Sequence, residues 1–255
     1  MQNRRNISRT AVVLSMNKFI SICGSPASGK TVTGIKLAQE IYENTKARVL
    51  FFCPDLSVPV MGFLFPHCKN SDLYSIGKAL DQTDIYKEDV LKRIVTVKTM
   101  RDFGYIGFKS GENKYTYPRP TEDKVRQLFS CMREIADYII ADCVSDASDL
   151  ISAMAKSESD SIIQLVTPDL KCMTYYSSNA EQFAAIQDRA VRVMNIREKD
   201  MYLPKEEVSG YFKNIRFKLP YSFALNKQSY TGTLSEQLSD NRYRKAMSEL
   251  AKAVM

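Results

Sequence analysis

Short blocks of continuous hydrophobic residues alternate along this chain with longer stretches in which apolar residues recur every three or four positions. The continuous blocks predict strands buried on both faces. They fall at Phe19-Ile20-Ser21-Ile22-Cys23, Ala47 to Cys53, Arg93 to Val97, Tyr138 to Asp142, Ser161 to Val166, Ala190 to Met194 and Ile215 to Leu219. The periodic stretches predict helices. Thr31 to Glu43 sets Val32, Ile35, Ala38 and Ile41 on one face, and Thr121 is placed to cap a helix whose inner face carries Val125, Leu128, Phe129, Met132 and Ile135. Leu234 to Met255 reads as a last helix, with Thr233 and Glu236 at capping-box spacing and Leu234, Leu238, Tyr243, Met247, Leu250 and Val254 facing inward. Strand and helix alternate almost throughout. This predicts a three-layer α/β fold, a mostly parallel central sheet flanked by helices on both faces. One stretch, Lys98 to Pro120, breaks the alternation. Its interleaved basic and aromatic residues (Arg101, Phe103, Tyr105, Phe108, Lys109, Lys114, Tyr115, Tyr117 and Arg119) read as an insertion, either a surface hairpin or lid beside the site or a nucleic-acid platform.

Candidate chemistry concentrates where the first strand meets the first helix. Gly24-Ser25-Pro26-Ala27-Ser28-Gly29-Lys30-Thr31 fits G-x-x-x-x-G-K-[ST], the phosphate-binding P-loop, and its strand and helix flanks are those the motif requires. The glycines let backbone N–H groups turn inward around phosphates, and the helix N-terminus adds partial positive charge. Lys30 is expected to reach the β- and γ-phosphates of ATP, and the Thr31 hydroxyl to ligate Mg²⁺; Thr33 is added to the nucleotide-binding set. Asp142 closes a hydrophobic strand as an acid that can hold Mg²⁺ beside the loop, with helix capping as its alternative role. Asp55 ends the second strand at the same sheet edge, where it could orient water or the metal's water shell, or serve as a turn residue.

Composition adds limits. The 255 residues suffice for one large α/β domain, and 44% hydrophobic with 25% charged residues is ordinary for a globular chain. No apolar run approaches the length of a membrane span. Residues 1–15 read as a flexible leader ahead of a start at Met16, with a single domain over 16–255. The six cysteines show neither a CxxC pair nor zinc spacing, which suits a reduced, cytoplasmic protein. His67 is the sole histidine and sits in Phe65-Pro66-His67-Cys68, which reads as a loop, so histidine-based nucleophilic catalysis would have to use it. A net charge of +7 permits contact with nucleic acid or anionic lipid without requiring either.

These residues together resemble the MinD/ParA group of P-loop ATPases, to which the pilus-positioning proteins TadZ and CpaE are similar. The resemblance runs from about Lys18 to the C-terminus and is weak across residues 57–120. It implies that Asp55 is the water-activating second acid of the family's Asp-x-Asp-Pro segment and that Asp142 is the Walker B acid, followed here by Cys143-Val144-Ser145 in place of Thr-Pro-Pro. It implies that Asn195 contacts adenine and that Leu219-Pro220-Tyr221 lies near the base; as a residue read alone, Asn195 could equally sit in a turn. The family's signature lysine falls on Ser25, with Pro26 and Ala27 where two glycines are usual. A neutral hydroxyl cannot supply that lysine's charge across a dimer, so slow hydrolysis is expected, with dimerisation either independent of nucleotide or supported by another residue. The resemblance implies a homodimeric positioning or assembly ATPase with ATP and Mg²⁺ as cofactors and a partner in a pilus, secretion or partition machine. A DNA-binding partition ATPase and a small-molecule ATP-dependent synthetase are the alternatives.

Overall fold

The computed structural model describes residues 17–97, 99–200 and 203–255, so the expected leader over 1–15 lies outside the described residues. The strands are β1 (Lys18–Gly24), β2 (Val49–Cys53), β3 (Val95–Val97), β4 (Met100–Gly107), β5 (Tyr138–Asp142), β6 (Ser161–Val166), β7 (Ala190–Asn195) and β8 (Ile215–Leu219). They form one eight-stranded sheet in the order β3-β4-β2-β5-β1-β6-β7-β8. All neighbours are parallel except the edge pair β3–β4. The helices are α1 (Lys30–Thr45), α2 (Met61–Leu64), α3 (Gly77–Leu80), α4 (Lys87–Leu91), α5 (Glu122–Ile135), α6 (Leu150–Glu158), α7 (Leu170–Ser178), α8 (Ala180–Ala184), α9 (Lys205–Tyr211), α10 (Phe223–Thr231) and α11 (Asn241–Val254).

Central strands alternate their side chains between two separate cores, as a strand covered on both faces must. Ile20 and Ile22 of β1 join Ile35, Ala38 and Ile41 of α1 and Met247, Leu250 and Val254 of α11 on one face. Phe19 and Cys23 join Val125, Leu128, Phe129 and Met132 of α5 on the other. β1 sits between β5 and β6, which places its C-terminal end, and the loop that follows, at the point where the chain order of the strands diverges. In open α/β sheets, ligands bind in the crevice at such a point.

Two expectations are corrected. The segment read as a surface insertion contributes β4 in its first half, and Phe103 and Tyr105 are fully buried. Tyr105 packs edge-on to Phe51 at 6.0 Å and Phe65 at 5.1 Å, so these aromatics belong to the core and not to a nucleic-acid platform. The glycines of this strand have steric causes. A β-carbon on Gly107 would come 2.6 Å from the Cys53 carbonyl oxygen of the neighbouring strand. The second half, 108–120, is irregular and is tied down by the buried Glu112, which accepts from the Ser75 hydroxyl (2.6 Å), the Tyr117 hydroxyl (2.7 Å) and the Lys109 N–H (3.0 Å).

The last helix starts at Asn241, capped by Asp240, and not at Leu234. The reason lies in α1. Lys36 is buried, and its ammonium donates to the Leu234 and Glu236 carbonyls, each at 2.8 Å, while the Gln39 amide donates to the Ser235 carbonyl at 2.9 Å. Carbonyls held by α1 side chains favour an irregular path over a helix there. Burial pushes the Lys36 amine down to about 7, with Glu236 opposing. Unfolded lysine titrates near ~10.4, so above pH 7 the unfolded chain holds more protons than the folded one at this group. Stability is therefore expected to rise from pH 7 to about 8.5, by roughly 1 kcal/mol per pH unit from this residue. Urea unfolding across that range should show a smaller rise in Lys36→Met; an identical rise would remove Lys36 as the cause.

Candidate functional site

The loop between β1 and α1 has the local geometry of a phosphate cradle. Gly24 has no room for a side chain, since a β-carbon would come 2.6 Å from the Ser28 hydroxyl. Gly29 has φ +89°, the left-handed region open to glycine, and it permits the turn into α1. Ala27 holds φ 60° without that freedom, a strained position for an L side chain that costs on the order of 1 kcal/mol. Helix α1 then begins at Lys30 and presents its unpaired N–H groups to the loop.

Side chains converge on this cradle from three strand ends. Lys30 Nζ donates to Ser145 Oγ at 2.6 Å and to the Ser25 carbonyl at 3.2 Å, and Ser145 Oγ donates in turn to the Gly24 carbonyl at 2.9 Å. Burial lowers the Lys30 pKa, and the nearby Asp142 carboxylate opposes that shift. Thr31 Oγ1 donates to Asp142 Oδ2 at 2.5 Å. Burial raises Asp142 to about 6, against the Thr31 hydrogen bond and the Lys30 charge, which pull it down. The other Asp142 oxygen, Oδ1, is buried with no hydrogen-bond partner. An orphaned carboxylate oxygen beside a threonine hydroxyl fits the oxygen-ligand chemistry of Mg²⁺, held directly or through water. Asp55 comes from the end of β2. Its Oδ1 accepts the N–H groups of Ser57 (2.8 Å) and Val58 (2.9 Å), as a turn residue's does. These groups line one cavity of about 390 Å³, together with Pro26, Ala27, Gly29, Asp146 and Arg197.

The other expected residues divide. Asn195 ends β7 opposite Leu219 of β8, so Asn195 and Pro220 reach the same sheet edge. The Asn195 amide donates to the Ser28 carbonyl at 2.9 Å, bracing the loop from beneath. Pro220 lines a separate cavity with Ile196, Tyr221 and Arg242. Thr33 is set apart from the nucleotide group: it is fully buried in α1, with its hydroxyl beside Tyr243 of α11. It lies nearly a full turn further along α1 than Lys30 and faces roughly 200° around the axis from Thr31, so proximity in sequence misleads here. Ser25 is only 2% exposed, its hydroxyl directed toward Cys172, and it does not project from the surface as a residue reaching a partner would. His67 is exposed and does not line the cavity. Five of the six cysteines are buried. Among the described residues no group of three metal-binding side chains exists, and no helix is long and apolar enough to cross a membrane. Sequence reasoning missed Ser145 and Arg197 as site residues. Each lies two or three positions past a strand end, where no periodicity marks which side chain turns inward.

No family model matches the chain, and no curated protein is similar to it in sequence. Solved structures do superpose on it. A ParA family ATPase from Chlorobium tepidum does so with a TM-score of 0.71 at 13% identity, over 92% of this chain and 98% of its own. The septum site-determining protein MinD from Pyrococcus horikoshii, complexed with Mg-ADP, gives a TM-score of 0.69 at 16% identity over 94% and 96%. Apo McdA from Cyanthece gives 0.64 at 15% identity over 93% and 98%. At such identities the likeness speaks for architecture alone: the chain has the P-loop NTPase fold found in MinD and ParA ATPases.

Proposed function

We propose that this chain is an ATP-binding, slowly hydrolysing ATPase of MinD/ParA type that acts as a dimeric positioning or assembly factor. Its role would be TadZ/CpaE-like, cytoplasmic and recruited to a pole or membrane-bound machine for pili or secretion. The observation that carries the reading is the joining of Lys30, Thr31 and Asp142 in one cavity, with an Asp142 oxygen left unpartnered. That the P. horikoshii MinD of the same fold holds Mg-ADP supports it.

In this reading Lys30 exchanges its Ser145 and carbonyl contacts for β- and γ-phosphate oxygens. Backbone N–H groups of the loop and the start of α1 bind the remaining phosphate oxygens. Thr31 and Asp142 would hold Mg²⁺, which would supply neutralising charge to the phosphates. Asp55 orients the attacking water: its Oδ1 is fixed by the Ser57 and Val58 N–H groups, leaving Oδ2 for the water. Asn195 holds the loop from the base side. Ser25, buried and neutral, adds no charge to the transition state. A missing preorganised donor typically costs a hundred- to a thousandfold in rate, about 3–4 kcal/mol, which is the basis for slow turnover.

ATP then works mainly as a conformational ligand, through contacts made by the γ-phosphate and not by ADP. Sedimentation of the full chain with Mg-ATP, Mg-ADP or no nucleotide is expected to give a dimer with ATP only. A dimer under all three conditions would point to a scaffold without a nucleotide switch. Turnover at the rate of a fast ATPase would refute the slow-hydrolysis element.

A further inference from the structure

The phosphate cavity holds a second cation. Arg197 lies two residues past the end of β7, and its side chain crosses to the loop before α1. Its guanidinium Nη1 donates to the Ala27 carbonyl. Its Cδ and Nε lie 3.7 and 3.8 Å from the position a Gly29 β-carbon would occupy. It lines the cavity with Lys30, Thr31, Asp55 and Asp142. The segment that carries it is fixed at two points: Asn195 donates to the Ser28 carbonyl, and the Ile196 N–H donates to the Leu219 carbonyl at 2.9 Å.

Three features argue that this charge is placed for a ligand. A guanidinium has five N–H donors, and among the described residues only one is used. Among the described residues no carboxylate forms an ion pair with it, although Arg residues elsewhere in the chain, such as Arg48 and Arg93, pair with neighbouring acids. The cavity's other cation, Lys30, approaches from the loop's interior, while Arg197 approaches from the rim at Ala27. A planar fork of donors with no acid partner, held against a phosphate cradle, matches the geometry by which arginine binds phosphate oxygens.

We infer that Arg197 is a phosphate-binding residue whose guanidinium contacts the terminal phosphate of a bound nucleoside triphosphate, giving this site in cis a charge that the buried Ser25 does not supply. The inference rests on the nucleotide reading above. It adds a residue that distinguishes triphosphate from diphosphate.

Isothermal titration of the full chain with Mg-ATPγS and Mg-ADP tests it, with Arg197→Ala, Arg197→Lys and Lys30→Ala as variants. Arg197→Ala is expected to weaken ATPγS binding about 10- to 100-fold, the loss of one or more hydrogen bonds to a charged group, and to change ADP binding less than threefold. Arg197→Lys should restore a large part of the ATPγS affinity. Equal weakening of both nucleotides would overturn the inference, since it marks a residue that only braces Ala27. Unchanged binding of both would overturn it as well. If the unmodified chain binds neither nucleotide, the nucleotide reading itself fails and takes this one with it; normal binding that Lys30→Ala abolishes keeps the two separable.

Discussion

Replacing Lys30 with alanine is expected to abolish the thermal stabilisation by Mg-ATP while leaving the ligand-free protein as stable as before, or more so. The two effects have one cause. Lys30 is held among carbonyls and the Ser145 hydroxyl, and burial works against its charged form. A charge kept in such a place costs folding free energy that only a phosphate would return in full. Each hydrogen bond to a charged group contributes about 1.5–3 kcal/mol, so losing the lysine should weaken ATP binding by roughly a hundredfold or more. A ligand at a hundred times its dissociation constant stabilises by ~2.7 kcal/mol. At that same concentration the variant should retain little of the shift. Differential scanning calorimetry with and without Mg-ATP reads both halves. A variant that unfolds well below the parent without ligand would show that Lys30 is a structural residue, and a retained shift would show that nucleotide does not bind where the cradle is.

The second large effect is expected far from the cavity. Phe129 of α5 is 1% exposed and meets Phe19 of β1 edge-on at 5.0 Å and Phe52 of β2 at 6.1 Å. It therefore joins the helix to the two strands whose C-terminal ends deliver the P-loop and Asp55. Phe129→Ala removes the ring and leaves a cavity between a helix and a sheet that cannot close on each other. Such substitutions cost ~3–5 kcal/mol, against a total stability of typically 5–15 kcal/mol. In a chain of this length that corresponds to a fall in Tm on the order of 10 °C. Denaturant unfolding should show a lower midpoint with an unchanged slope, and Phe129→Leu should lose less than half as much. A loss under 1 kcal/mol in Phe129→Ala would mean that α5 does not carry this face of the core.

The P-loop was legible in the sequence because its requirements are local. Gly24, Gly29, Lys30 and Thr31 act through backbone freedom and helix polarity within eight consecutive positions, and no distant residue changes that. The buried strands were legible for a related reason. A strand covered on both faces is apolar at most of its positions, so β1, β2, β5 and β6 announce themselves without reference to their neighbours. Asp55 and Asp142 followed as acids at strand ends.

What the chain alone left undecided depends on who sits opposite. Gly104 and Gly107 resemble loop residues until Ile94 and the Cys53 carbonyl are seen to fill the space of their missing side chains, and only then does β4 appear as a strand. Leu234 to Glu236 has the composition of a helix start, yet Lys36 and Gln39, some two hundred residues earlier, take its carbonyls. Thr33 and Arg197 exchange their expected importance for the same reason: the three-dimensional path turns one toward Tyr243 and brings the other across to Ala27. Periodicity and motif spacing report conformational preferences that each residue carries with it. Steric exclusion, carbonyl capture and the placing of a charge are properties of pairs brought together by the fold, and a linear order of residues does not contain them.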